Sequence, residues 1–126
     1  MDGLIDTSVI IADEQGRPLG PGPSRAAISV MTLAELQIGA SAAADLATRA
    51  RRIRTLAKVE SELDALPVDD SVARRYAELV SEGRQLGRRF TVIDALIGAT
   101  AAVHGLPLYT QDAAFDDMPG ISVVRV

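Results

Sequence analysis

The sequence predicts an α/β fold: a central, mostly parallel sheet sandwiched between helices. Three observations carry this expectation. Short branched-aliphatic runs alternate along the chain with longer stretches of helical periodicity. Residues with helix-capping chemistry stand at the ends of several of these runs. Aromatic residues make up only 3% of the chain, so alanine and branched aliphatics must fill the core, which suits helices packed closely on a sheet.

The elements follow in order. Leu4-Ile5 reads as a first short strand, and Asp6-Thr7-Ser8 has N-cap chemistry for a helix running through Ile11 and Ala12, with Asp13 and Glu14 exposed at its end. Gly16 to Ser24 holds three prolines and three glycines and reads as a loop. Ala26 to Val30 is a second strand. Thr32 is then a helix cap, with Glu35 at capping-box spacing. Ala44 to Leu66 reads as one helix, because Leu46, Ile53, Leu56, Val59 and Leu63 share an apolar face. Its cations Arg49, Arg51, Arg52, Arg54 and Lys58 are expected to pair with Asp45, Glu60 and Glu62, or else to form a phosphate-contacting rim or a partner-protein face. Asp69-Asp70-Ser71 caps a helix that buries Val72, Tyr76, Leu79 and Val80. Thr91 opens an Ala- and Ile-rich helix to His104, ended by Gly105-Leu106-Pro107. Leu108-Tyr109 is a strand, Phe115-Asp116 a short helical turn, and Ile121 to Val126 a last strand.

Bulk properties narrow the function. The length of 126 residues suits one domain, 1–126, with a real core. The absence of cysteine excludes disulfides and thiolate metal sites, and a single histidine disfavours a zinc site. No apolar run reaches membrane-spanning length and no basic leader precedes one, so a soluble, cytoplasmic protein is expected. A net charge of −4 argues against nucleic-acid binding by charge alone, but leaves room for an acidic site bridged to phosphate by a cation.

Four carboxylates fit such a site. Asp6, Glu35, Asp94 and Asp112 lie at or near strand-to-helix junctions, where open α/β sheets place their ligands. Each of the first three is flanked by apolar residues. Converging carboxylates repel unless a cation neutralises them, and hard oxygen ligands favour Mg²⁺ or Mn²⁺, one or two per site.

With these residues in place, the chain resembles the PIN-domain ribonucleases, and among them the VapC toxins of toxin–antitoxin pairs. "LIDTSVII" resembles the first family motif, with Asp6 as leading acid and Thr7 or Ser8 at its hydroxyl position. "MTLAELQIGA" resembles the second, with Glu35. "VIDALIGATAAVHGLPLYTQD" resembles the third running into the fourth, with Asp94 and Asp112. Asp116 is a possible additional acid. The resemblance implies a PIN-like three-layer sandwich and a metal-dependent endoribonuclease. It further implies a homodimer and a VapB-type antitoxin partner in a hetero-oligomer. Arg88 and Arg89, just ahead of the Asp94 helix, are expected to reach substrate phosphate. A haloacid-dehalogenase-like phosphatase would need a second acid where Ser8 stands. The remaining alternative is a PIN domain that has lost catalysis and serves as an RNA- or protein-binding module.

Overall fold

The computed structural model describes residues 1–126. Its elements are β1 (Gly3–Ile5), α1 (Thr7–Glu14), β2 (Ala26–Ser29), α2 (Val30–Ser41), α3 (Leu46–Glu62), β3 (Asp64–Leu66), α4 (Asp70–Gln85), α5 (Val92–Val103), β4 (Leu108–Thr110), a 3-10 turn (Ala113–Phe115) and β5 (Val123–Arg125). The five strands form one sheet in the order β3-β2-β1-β4-β5, and every neighbouring pair is parallel. Parallel pairing requires crossover connections, and helices supply them on both faces.

Side-chain alternation along the strands divides the core in two. Leu4, Ala27 and Leu108 face a cluster that includes Leu79 of α4, Ala95, Ile97 and Ala101 of α5, and Phe115 and Met118 beyond β4. Ile5 and Ile28, next along the same strands, face a second cluster built with Ile10 of α1, Leu36 of α2 and Leu56 and Val59 of α3. The sheet is therefore the middle layer of three, as expected.

Two local expectations are corrected. The helix read over Ala44 to Leu66 ends at Glu62, and residues 64–66 form β3 on the open edge of β2, pairing Ala27 with Asp64 and Ser29 with Leu66. The physical reason lies one residue on: Pro67 disfavours the helical region for Leu66, so the helix must stop earlier and the extended segment finds a ladder. Likewise, Thr32 does not cap α2. Ser29, the last residue of β2, is the cap and accepts from the Met31 N–H at 3.0 Å, so Thr32 lies fully buried inside the helix and Glu35 is released from any capping box.

The basic face of α3 also differs from expectation. Arg51 pairs with Glu14 of α1 at 3.4 Å, Arg52 donates to the Gly39 carbonyl at 2.7 Å, and Arg49 donates to the Ser41 carbonyl at 3.2 Å. Asp45 caps the helix instead, accepting from Thr48. These cations tie α3 to α1 and α2, and the Glu14 side chain is only 9% exposed rather than free in solvent. The other caps fall where expected, with Asp6 on α1, Asp69 on α4 and Thr91 on α5. No helix is long and apolar enough to cross a membrane.

Candidate active site between β1 and β4

The chain leaves β1 toward β2 and β3 on one side and later returns to β4 and β5 on the other. The gap beyond the C-terminal ends of β1 and β4 is therefore the point where strand order reverses, and sheets of this kind bind ligands there. Asp6 immediately follows β1, and Asp112 follows β4 by two residues.

Asp6 is 3% exposed, and three donors hold its carboxylate. Ser8 Oγ donates to Oδ1 at 2.6 Å, the Val9 N–H reaches the same oxygen at 3.3 Å, and Thr110 Oγ1 donates to Oδ2 at 2.6 Å. The two hydroxyls also accept: Ser8 Oγ from the Gln111 N–H at 2.9 Å and Thr110 Oγ1 from the Asp112 N–H at 2.9 Å. Each hydroxyl has one proton, so these contacts set its direction toward Asp6. The result is a rigid relay from β1 through the end of β4 to Asp112. Thr110 and Ser8 thereby hold Asp6 and the Asp112 backbone in register.

Burial pushes the Asp6 carboxyl above the ordinary carboxylate range. The hydrogen bonds from Ser8, Thr110 and Val9 oppose that shift, and the charge of Asp112 adds to it. Burial also pushes Asp94 up, and Asp112 again contributes. Asp94 sits in the first turn of α5, its N–H bonded to the Thr91 hydroxyl at 3.2 Å. Asp112 itself caps the 3-10 turn, accepting from the Ala114 N–H at 2.9 Å. The structure thus brings Asp6, Asp94 and Asp112 into one electrostatic neighbourhood, with Asp112 the member that acts on both others.

Glu35 of α2 is tied to the residue after Asp6. Thr7 Oγ1 donates to Glu35 Oε1 at 2.6 Å and lies 3.2 Å from Thr32 Oγ1. None of the four acids takes part in an ion pair. No three of them are drawn into a ready coordination shell, as expected of like charges that repel. The donor set fits a hard divalent cation: oxygen ligands only, partly desolvated, fixed by neutral hydroxyls and lacking a cationic side chain.

Other site candidates land elsewhere. Asp116 is engaged by Arg125, whose Nη1 lies 3.2 Å from both carboxylate oxygens, so it is committed to an ion pair at the end of β5. Arg88 is engaged by the segment that follows the 3-10 turn. It donates to the Asp116 carbonyl at 3.0 Å, lies 3.6 Å from Asp117 and stacks over Phe90, 5.4 Å from the ring centroid. Arg89 is exposed and unpaired. The reading of the residues missed Thr110. Its signal was parity: in a strand that buries Leu108 and leaves Tyr109 half-buried, position 110 faces inward again, and an inward hydroxyl two residues before an acid has work to do.

A parallel sheet with carboxylates at its switch point defines a class, and comparison with known proteins supplies the family. The family model for the PIN domain matches residues 3–121, and the chain belongs to the PIN-domain family. Within it, the chain belongs with the VapC proteins. It is 44% identical over 129 residues to ribonuclease VapC5 of Mycobacterium tuberculosis, covering 98% of this chain and 95% of the relative. It is 48% identical over 103 residues to ribonuclease VapC8 of the same species, covering 80% and 91%. Among solved structures it superposes on VapBC-5 from Mycobacterium tuberculosis, a member of the VapBC family of toxin–antitoxin systems, with a TM-score of 0.84 and 42% identity, over 99% of this chain and 98% of that one.

Proposed function

We propose that the chain is a VapC-type endoribonuclease toxin in which Asp6, Asp94, Asp112 and Glu35 form the catalytic group and hold one or two divalent cations, Mg²⁺ or Mn²⁺. The observation that carries the reading is Asp6: a carboxylate buried at the switch point, held by three hydrogen-bond donors and no cationic side chain. Its setting in a chain 44% identical to a protein named ribonuclease VapC5 supports RNA as the substrate class. When bound, a divalent ion supplies Lewis acidity and neutralises the charge of the acids and of the phosphodiester.

The residues of the chain supply the rest. Ser8 and the Val9 N–H take both lone pairs of Asp6 Oδ1 and Thr110 takes one of Oδ2, so the second lone pair of Oδ2 is left to face a ligand. Thr7 occupies Glu35 Oε1, which leaves Oε2 to take the proton of the attacking water. That water's oxygen adds to phosphorus, and the 3′-oxygen departs with a proton from solvent, leaving a 5′-phosphate and a 3′-hydroxyl. The superposition on a VapBC complex supports a VapB-type antitoxin as partner, in a toxin–antitoxin hetero-oligomer built on a toxin homodimer.

The test is cleavage of total cellular RNA by the purified, antitoxin-free protein, with Mg²⁺ or Mn²⁺ and then with EDTA. Discrete products that vanish with EDTA are the expected result. A folded, cation-loaded protein that binds RNA and leaves it intact would mean a binding module that has lost catalysis.

Thr110→Val probes the positioning of Asp6. The valine leaves Asp6 Oδ2 and the Asp112 N–H each without its hydrogen-bond partner, which is expected to lower stability by about 1–3 kcal/mol. Loss of this support around a ligand is expected to weaken cation binding by about 10- to 100-fold. Chemical denaturation and a Mn²⁺ titration read the two effects separately, while Thr110→Ser should retain both.

A further inference from the structure

We infer that the concavity between the end of α4 and the start of α5 is a binding site for a backbone phosphate of the RNA strand, an assignment that rests on the ribonuclease reading above. The site is built by the way α4 ends. Gly87 adopts φ +71°, its N–H bonds to the Arg84 carbonyl at 3.1 Å, and the Arg88 N–H returns to the Gly83 carbonyl at 2.7 Å. This is a Schellman stop, and it folds residues 88–90 back over the last helical turn. Phe90 can seat there because position 83 has no side chain: a Cβ on Gly83 would lie 2.9 Å from the Phe90 ring and 3.2 Å from the Arg88 carbonyl.

The resulting pocket has a volume of about 240 Å³ and is lined by Val80, Arg84, Arg88, Arg89 and Phe90. Three cations line it and no acid does. The larger groove between α1 and α3 mixes Arg51, Arg54 and Lys58 with Asp13, Glu14 and Glu62, so its charges largely cancel. Arg88 is a wall of the arginine pocket, already engaged by Asp116, Asp117 and the Phe90 ring. Arg84 and Arg89 are exposed and have no acidic or carbonyl partner, which leaves two guanidinium forks for a ligand.

Position and charge identify that ligand. Arg89 lies two residues before Thr91, the cap of the helix that carries Asp94, and Arg88 grips the segment that follows Asp112. The pocket therefore adjoins both acid-bearing segments. A polyanion entering a site of four carboxylates, on a protein of net charge −4, needs cationic contacts beside it. Phe90 packs on the core and carries Arg88, so it is not a free platform for a base. Recognition here is of phosphate charge, independent of base identity.

The test compares Arg84→Gln/Arg89→Gln with the parent, using a fluorescent single-stranded RNA oligonucleotide in the Asp94→Asn background, in Mg²⁺ and over a range of salt. Each phosphate no longer neutralised lowers the slope of log K against log salt by about 0.7, so the double variant, which loses the one phosphate of this site, is expected to lose about 0.7 in slope and at least ~10-fold in affinity. Arg84→Lys/Arg89→Lys should restore the slope, since lysine keeps the charge. In protein with Asp94 intact, cleavage by the Gln double variant should fall at limiting RNA and recover at saturating RNA. An unchanged slope in a protein that cleaves RNA normally would overturn the assignment and leave the nuclease reading standing. A deficit confined to antitoxin binding would overturn it as well, in favour of a carboxylate-bearing protein partner. A lowered slope in a protein that never cleaves would uphold the pocket and remove only the nuclease reading.

Discussion

Asp6→Asn is expected to reduce RNA cleavage at least about 100-fold while the fold survives, and Asp94→Asn to do the same. The two variants keep the shape of each side chain and remove its charge. For Asp6 the stability effect has a definite sign. Burial raises its folded-state carboxyl above the unfolded value near 3.8, so the ionised form opposes folding. Stability from this group is greatest below pH 3.8, where it is protonated in both states, and falls as pH rises from there through the raised folded value. Neutral pH lies at the unfavourable end, and an asparagine removes the penalty. The cation-free Asp6→Asn protein should therefore lack the parent's fall in stability as pH rises through the raised Asp6 value. A divalent cation that binds only the folded protein raises the parent's melting temperature by mass action, and the variant should lose that increment. Because protons compete with the cation for Asp6 and Asp94, the increment should shrink on acidification. Initial cleavage rates together with melts in Mg²⁺ and in EDTA read all of this. Full activity in a folded Asp6→Asn protein would exclude Asp6 from catalysis.

Phe115→Ala is expected to cost about 3–5 kcal/mol, a large share of the roughly 5–15 kcal/mol that holds an ordinary domain together. Phe115 is 1% exposed and belongs to the cluster with Leu4, Leu108, Ile97 and Met118. Its ring is the anchor of the 3-10 turn that Asp112 caps. Loss of the ring leaves a cavity under one face of the sheet and frees the segment that positions Asp112, so activity should fall along with stability. Urea denaturation should show a lower midpoint at an unchanged slope, the signature of a stability change without a change in the denatured state. Phe115→Leu, which fills most of the space, should recover much of both. An alanine variant as stable as the parent would mean that the turn does not depend on this contact.

Most elements were legible because their signals are local. The cap at Asp69 and the periodicity of α4 act within one or two turns, and the structure keeps them. β3 was hidden because Leu63 to Leu66 continues an apolar helical rhythm, although Pro67 held the contrary signal. The cap of α2 moved from Thr32 to Ser29 because β2 and α2 abut without a loop, a junction that two competing hydroxyl residues leave open. The partners of the α3 arginines were misplaced for another reason: an exposed charge can reach neighbours on several elements, and only packing chooses among them.

By itself the sequence determined the α/β class, four acids beside strand ends in a fixed order, and the family resemblance that gave those acids a role. The tertiary structure alone decided which of them meet. Asp6 and Thr110 are 104 positions apart and bond at 2.6 Å because β1 and β4 are neighbours at the point where strand order reverses. It likewise committed Asp116 to Arg125 and Arg88 to the Asp116–Asp117 segment, and left Arg84 and Arg89 free. Propensity, capping and periodicity operate over a few residues, whereas which strand ends become neighbours is settled by how the sheet buries its two apolar faces at once.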